Sequence, residues 1–324
     1  MSLELSCSFA TSPESPEHAR IAESLGYRRA FFNDSPALYP DVWVQLCRAA
    51  ERTARIGLGP GVLIPSLRHP MTTAAAIATL VGLAGAERVV VGVGAGFTGR
   101  MALGQRAMRW HDVATYVRTL RGLLRGEPVR WEGQLIQMLH TPGFAPPRPL
   151  EVPFIIAAGG PKGIAVAHEV GDGVLSGMPI SGFAWNIALA FGTVLADGED
   201  PGAERPLAAA GHGAAMLLHY STENGFLDTL LPEQGRQWLA AYDAVPAERR
   251  HLAMHYGHLV LVNEHDRPYV TGALLTQLGL ARSAAGWREH LAQLEAAGAT
   301  EVAYQPAGPD IARELEAFIT AARE

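Results

Sequence analysis

The chain has 324 residues, 48% of them apolar and 18% charged, with 35 glycines and 22 prolines, the composition of a globular protein with a sizeable core. Its formal charge of −6 and scattered basic residues argue against a nucleic-acid partner, and no stretch approaches the roughly 18 continuous apolar residues of a membrane span. Two cysteines, Cys7 and Cys47, are too few for a disulfide scaffold, and the absence of a basic-then-apolar leader over Met1 to Phe9 makes a cytoplasmic protein the expectation.

Leu3 to Phe9 alternates as a half-buried strand, and Ser15-Pro16-Glu17 opens a helix that runs to Leu25 and stops at Gly26. A second strand, Arg29 to Phe32, ends at Asn33-Asp34-Ser35-Pro36 and leads to a helix from Asp41 to Ala54. Ile56 to Ile64 is strand three, Met71 to Ala84 a small-residue helix opened by Pro70, and Arg88 to Val93 strand four. Residues 97 to 110 lack a clear period, an unusually long connection of the kind that tends to be functional. A helix follows over His111 to Leu124, then a short hairpin with Val129 and Trp131 on one arm and Ile136 on the other. Val152 to Ala158 reads as strand five, with a helix from Gly159-Gly160-Pro161-Lys162-Gly163 to Val170, and Asp172 to Ser176 as strand six, followed by a helix over Phe183 to Leu195. Arg205 to Tyr220 is read as a diffuse strand seven. Helices are placed near Glu233 to Tyr242 and Tyr269 to Leu278, with the apolar run Leu259 to Val262 between them. Ala284 to Ala297 is an amphipathic helix, Thr300 to Tyr304 strand eight, and Asp310 to Ala322 a last amphipathic helix.

Gly94, Gly96 and Gly99 fit the dinucleotide spacing G-x-G-x-x-G at the end of strand four. A Rossmann unit would start a helix inside that motif and close the next strand with an acidic residue. Here Thr98 to Gly104 is a poor helix start, and Asp112 begins a helix. Strand and helix alternate without a composition break, so one (β/α)8 TIM barrel with insertions, a single domain over residues 1–324, is the expected fold. In such a barrel the ligand lies at the C-terminal strand ends, and three of these are glycine-rich: Gly94 to Gly99, Gly159 to Gly163, and Gly177. A flat, phosphate-bearing ligand suits that mouth, its phosphate on the helix N-terminus after Gly160 with Lys162 beside it.

These residues resemble the bacterial luciferase-like monooxygenase superfamily, and within it the deazaflavin (coenzyme F-420) dependent oxidoreductases of the methylenetetrahydromethanopterin reductase type. The carriers are Ala22 to Tyr27, Asp34, Gly59 to Pro65 with Arg68-His69-Pro70, Arg88 to Gly96, Ala157 to Pro161 with Ala167, and Gly171-Asp172-Gly173. The resemblance implies a luciferase-like barrel with a tricyclic two-electron carrier across its mouth and a non-prolyl cis peptide at Gly61-Val62 behind the ring. By the same mapping Asp34, Ile64, Ala95, Gly96 and Arg100 would meet the ring or ribityl chain, Gly159, Gly160, Lys162 and Gly163 would hold the phosphate, and Gly61, Val62 and Gly177 complete the expected cofactor-binding set. Sugar-phosphate dehydrogenases of the family carry a histidine after the aspartate and a glutamate in the glycine loop; here Ser35 and Phe97 stand there, so the expected substrate is apolar or heterocyclic. The pterin reductases have a glutamate on strand one where this chain has Cys7 and Ser8, so no catalytic proton donor is assigned.

The reading is hydride transfer between coenzyme F-420 and an organic small molecule. Its alternatives are an FMN-dependent luciferase-like monooxygenase, a non-catalytic flavin- or deazaflavin-binding protein on the same scaffold, and a nicotinamide dehydrogenase using the glycine loop alone. Ser35, Phe97, Trp110, Met178 and His219 are the candidate substrate-pocket residues, His219 as the end of strand seven. His69 is read as a cap at the turn before Pro70. His251, His255 and His258 share one face at helical spacing, as metal ligands would. Metal-hydrolase barrels draw ligands from strand ends, however, and strand one lacks a His-x-His pair, so these histidines are read as pocket lining or surface and no metal is expected. The resemblance implies a homodimer, with Met71 to Ala84 as the candidate face.

Overall fold

The computed structural model describes residues 3–231 and 234–324. It divides into two compact units, one of Met1–Gly99, Arg106–Leu189 and Leu294–Tyr304, the other of Arg100–Gln105, Ala190–Gln293 and Gln305–Glu324.

The first unit is built on eight barrel strands: β1 (Glu4–Phe9), β2 (Arg29–Phe32), β3 (Gly57–Pro60), β4 (Val91–Gly94), β5 (Phe154–Ala157), β6 (Gly173–Ser176), β7 (Asn186–Phe191) and β8 (Glu301–Gln305). They follow one another in the order β3-β2-β1-β8-β7-β6-β5-β4. Parallel bridges Leu58 to Val89 and Leu63 to Val93 bring the two ends of that order together, so the sheet curls into a nearly closed parallel barrel. The strands are short and buried on both faces, which is why they read as apolar runs rather than clean alternation. Phe31, Val90, Ile155, Leu175, Ile187 and Ala303 fill the interior, each at most 5% exposed, and burying an aliphatic or aromatic side chain of this size contributes about 1.5–3 kcal/mol.

Five helices of this unit bring the chain back between strands: α1 (Ser15–Leu25), α2 (Val42–Ala50), α3 (Pro70–Ala84), α4 (Trp110–Arg125) and α5 (Pro161–Val170). Their ends follow local chemistry. Gly26 and Gly126 stop α1 and α4 in the left-handed conformation. Asp41 caps α2 through the amides of Trp43 and Val44, and His69 caps α3 by accepting from the Met71 amide at 3.1 Å, the role expected for it. The hairpin is present as Val129–Trp131 paired with Gln134–Ile136.

The N-terminal ends of the strands are held by a buried carboxylate. Glu301 is fully buried and accepts from the Ser6 hydroxyl, from Arg29 Nη1 at 2.6 Å and from Trp185 Nε1 at 2.8 Å. Arg29 also lies over the Trp185 ring at 4.5 Å.

Three sequence expectations change. Barrel strand seven is Asn186–Phe191, within the span read as a helix over Phe183 to Leu195; the Asn186 side-chain amide donates to Ile180 O and Gly298 O and fixes that edge. Arg205 to Tyr220, read as a strand, lies in a 20-residue helix, α6 (Glu204–Glu223). Gly211 and Gly213 make it look weak, yet a Cβ at 211 would sit 2.9 Å from Val270 Cγ1, so glycine there serves close packing. Finally, the stretch after Gly96 does start a helix, the short Phe97–Met101.

In the second unit α6 packs with Trp238, Tyr242, Leu274 and Leu275 in a core of its own. Its shorter helices include Gln234–Ala241, Arg250–His255 and Gly272–Gln277; the expected start at Glu233 lies outside the described residues. Leu259 to Val262 forms neither helix nor strand. Thr193–Val194 pairs in parallel with Ala281–Arg282, and Arg205 joins the buried Glu314 at 2.9 Å, Thr193 Oγ1 at 2.9 Å and Glu199. Among the described residues no helix is long and apolar enough to cross a membrane.

Candidate active site

The C-terminal ends of β2, β3 and β4 meet through glycines. The peptide Gly61-Val62 is cis, and a Cβ at Gly94 would lie 2.7 Å from Val62 Cγ2, so β4 passes closely by the loop that follows β3. A Cβ at Gly99 would lie 2.3 Å from Ile64 Cδ1, 2.9 Å from Ser35 Oγ and 3.3 Å from the Asp34 carbonyl. The third glycine of the motif therefore lets the segment after β4 rest on the ends of β2 and β3, a demand of chain packing. Gly96 takes a φ of +80° between Ala95 and the half-buried Phe97. Asp34, Ser35, Gly61, Val62, Ile64, Ala95, Gly96 and Phe97 are thus brought to one rim.

Asp34 is the charged member of that rim. Its side chain is 1% exposed, and Oδ2 accepts from Arg68 Nη1 at 2.6 Å and from the Ile64 amide at 3.4 Å. Burial lifts its carboxyl above the ordinary range, and the Arg68 guanidinium works against that rise. The other arm of Arg68 reaches Asp41 at 2.8 Å, and against the effect of burial Arg68 and the α2 amides hold Asp41 below the usual carboxylate range. Arg68 is itself positioned by its carbonyl, which accepts from Tyr116 OH at 3.0 Å; that phenol is pushed up to about 12 by burial and sits 2.6 Å from Thr73 Oγ1. Arg68 stood in the motif Arg68-His69-Pro70 without a role, and only the fold brings it to Asp34, 34 residues away.

On β1 the Cys7 thiol points to the Arg29 carbonyl at 3.5 Å, and burial raises it well above its ordinary value. Ser8 donates to Asn33 Oδ1 at 3.2 Å, and Thr11 donates to the Asn33 carbonyl at 2.7 Å. These polar groups align the ends of β1 and β2.

The second part of the rim lies after β5 and β6, and its glycines behave differently. Cβ atoms at Gly159, Gly160 and Gly177 would meet nothing within 4 Å, so no packing inside the protein requires glycine there. Gly160 is the N-cap of α5, no side chain caps that end, and Pro161 occupies its first turn, leaving the Lys162 and Gly163 amides directed out of the helix. Gly159, Gly160 and Lys162 are exposed. An uncapped helix start with a lysine and a side-chain-free approach is suited to a phosphate. Gly163 has another reason: a Cβ there would sit 2.6 Å from Trp110 Cζ2, so it seats the Trp110 ring against α5. Met178, beyond β6, is 63% exposed. Two candidates fall elsewhere. Arg100 belongs to the second unit, and His219 lies on α6 of that unit, 2% exposed, in place of the strand end expected for it.

Comparison with known proteins agrees with this geometry. The chain is 31% identical over 163 residues to the 5,10-methylenetetrahydromethanopterin reductase of Archaeoglobus fulgidus, covering 49% of this chain and 47% of the relative. It is 30% identical over 178 residues to the F420-dependent glucose-6-phosphate dehydrogenase of Intrasporangium calvum, covering 49% and 52%. The chain thus aligns over about half the length of these relatives. Among solved structures, the coenzyme F420 dependent tetrahydromethanopterin reductase from Methanopyrus kandleri superposes with a TM-score of 0.65 over 98% of this chain and 97% of that one, at 20% identity, a likeness of fold. The profile of the luciferase-like monooxygenases matches residues 10–301. With a nearly closed parallel barrel, a cis peptide after β3 and glycine-bearing strand ends, the chain belongs to the luciferase-like monooxygenase family.

Proposed function

We propose that this protein is an oxidoreductase that transfers a hydride between coenzyme F420 and an apolar or heterocyclic organic substrate. The observation that carries the reading is the open glycine cradle at Gly159, Gly160 and Gly177 beside the uncapped start of α5. Relatives whose names include F420 dependence support the choice of cofactor. Bound there, F420 would supply the two-electron chemistry, and the protein's task is binding, orientation and shielding. Gly159, Gly160, Lys162 and Gly163 would hold the phosphate, while Val62, Ile64, Ala95 and Gly96 would give the ring an apolar, side-chain-poor bed. Asp34, locked by Arg68, would present a fixed polar edge to it. Phe97, a ring where a sugar-phosphate enzyme would need polar recognition, favours an apolar substrate.

We further take the chain to act in the cytoplasm as a single functional domain, and as a homodimer through the outer face of α3, where Leu83 is 45% exposed among small residues. Titration of the purified protein with F420, FMN and NADPH, followed by fluorescence and absorbance, tests the cofactor. Saturable binding of F420 is expected. Binding of FMN in its place would turn the assignment to a flavin monooxygenase, and binding of NADPH alone would overturn it.

A further inference from the structure

The second unit carries a cluster of buried histidines that the proposed hydride transfer does not use. His219 on α6, His255 at the end of the helix Arg250–His255 and His258 in the following turn are each at most 4% exposed. One ring nitrogen from each lies within 4.8 Å of those of the other two. The three ring centroids form a nearly equilateral triangle with sides of 5.7, 5.7 and 5.6 Å. Three imidazoles around one zinc ion, at Zn–N distances of about 2.0–2.1 Å and angles between tetrahedral and trigonal, place their centroids about 5.1–5.5 Å apart. A contraction of a few tenths of an ångström would close the triangle on a metal.

The surroundings fit as well. His219 Nε2 lies 3.2 Å from Asp266 Oδ2. Asp266, 1% exposed, also accepts from Trp238 Nε1 and Tyr242 OH, each at 2.7 Å, and its own amide donates to Asn263 Oδ1 at 2.9 Å. Among the described residues its only ion-pair partner is His219. A carboxylate that accepts from one nitrogen of an imidazole leaves the other for a metal, the usual support of a metal-bound histidine. The Nδ1 atoms of His219 and His255 are buried with no hydrogen-bond partner among the described residues, an arrangement a dry core does not tolerate without a ligand.

We propose that His219, His255 and His258 bind one divalent transition-metal ion, with Asp266 as the positioning residue behind His219. Three neutral imidazoles and a cation of borderline softness suit Zn²⁺, with a fourth position left for water. The ion would tie α6 to the segment Arg250–His258. His251, His255 and His258, which share a helical spacing and were read as pocket lining or surface, are thereby regrouped: the helix ends at His255, and His219 stands with His255 and His258 in place of His251. The site is independent of the F420 assignment.

The test uses full-length untagged protein, stripped with a chelator, dialysed against micromolar Zn²⁺ and desalted. One zinc per chain by mass spectrometry is expected, with a rise of several degrees in Tm over the stripped protein. His255→Ala and His258→Ala are each expected to lower the bound zinc at least tenfold, and Asp266→Asn to weaken affinity about 10- to 100-fold. Fewer than about one zinc per ten chains in the parent protein, or full zinc in the double variant His255→Ala/His258→Ala, would overturn the proposal. X-ray absorption at the zinc edge of the parent protein keeps the test open where a variant does not fold. Three imidazole ligands are expected, and one or none would refute the site.

Discussion

Replacing Arg68 by Met removes the guanidinium while keeping the apolar stem, and Asp34 then faces burial unopposed. Its side chain is 1% exposed, its contact to Arg68 Nη1 is 2.6 Å, and among the described residues the partner left to it is the Ile64 amide at 3.4 Å. Breaking a buried pair by removing one member costs about 3–5 kcal/mol. Protonation sets a ceiling: neutralising a carboxyl of ordinary pKa, about 3.9, costs about 4 kcal/mol at pH 7 and about 1.5 kcal/mol at pH 5. The loss of the Asp41 contact adds little, because Asp41 is 47% exposed. Arg68→Met is therefore expected to lose about 3–4 kcal/mol at pH 7. The sign with pH follows from the orphaned carboxyl: its folded pKa lies above its unfolded one, so stability relative to the parent recovers as pH falls towards 5. Asp34→Asn leaves Arg68 with Asp41 and partial solvent access and should cost less, about 1–2 kcal/mol. Urea unfolding of the parent and both variants at pH 7 and pH 5 reads all of these values. A loss below about 1 kcal/mol in Arg68→Met at pH 7, or equal losses in the two variants, would refute the reasoning.

The glycines separate packing from ligand approach. Gly59→Ala would put a Cβ 1.6 Å from the Val90 carbonyl where β3 and β4 meet and should cost upwards of about 3 kcal/mol, whereas Gly160→Ala meets nothing within 4 Å and should leave Tm within a degree or two; similar Tm values for both would contradict the assignment. His212, 1% exposed with Nε2 2.9 Å from the Ala209 carbonyl, is lowered by burial to about 4. The unfolded chain binds that proton first, so stability present above pH ~6.5 is lost as pH falls towards 4, on the order of 3 kcal/mol. Urea unfolding from pH 7 to 4.5 with chelator present should show a shallower acid limb for His212→Leu than for the parent; parallel limbs would remove His212 from the account.

Much of the barrel was legible because its signals are local. Seven of the strands overlap the spans read for them, and some end at the turn chemistry that announced them, such as Asn33-Asp34-Ser35 after β2 and Gly159-Gly160-Pro161 after β5. The seventh was missed because Asn186 to Phe191, a run of apolar residues anchored by one asparagine, has no period to separate strand from helix. The same ambiguity hid α6, whose Gly211 answers to Val270 and Val262 rather than to a strand. At Gly163 and Gly99 packing alone already demands glycine, which only Trp110, Ile64 and Ser35 in three dimensions make visible. Arg68 and Glu301 were illegible as partners of Asp34 and of Ser6, Arg29 and Trp185, since those pairings span 34 to 295 residues of sequence. For the histidines, spacing pointed to one helix face, whereas the cluster draws on α6, the end of the helix Arg250–His255 and the turn after it.

The central claim rests on the cradle before α5, and a fluorescence titration of F420 into the parent protein and Gly160→Asp tests it most directly. A carboxylate about 5 Å from a bound phosphate at an effective dielectric near 20 repels it by a few kcal/mol before screening. The account predicts saturable, one-to-one binding by the parent, an affinity about 10- to 100-fold weaker in Gly160→Asp, and a Tm for the free variant equal to the parent's or slightly higher, since Asp also caps α5. No saturable F420 binding by the parent, or equal affinities in the two proteins, would contradict it.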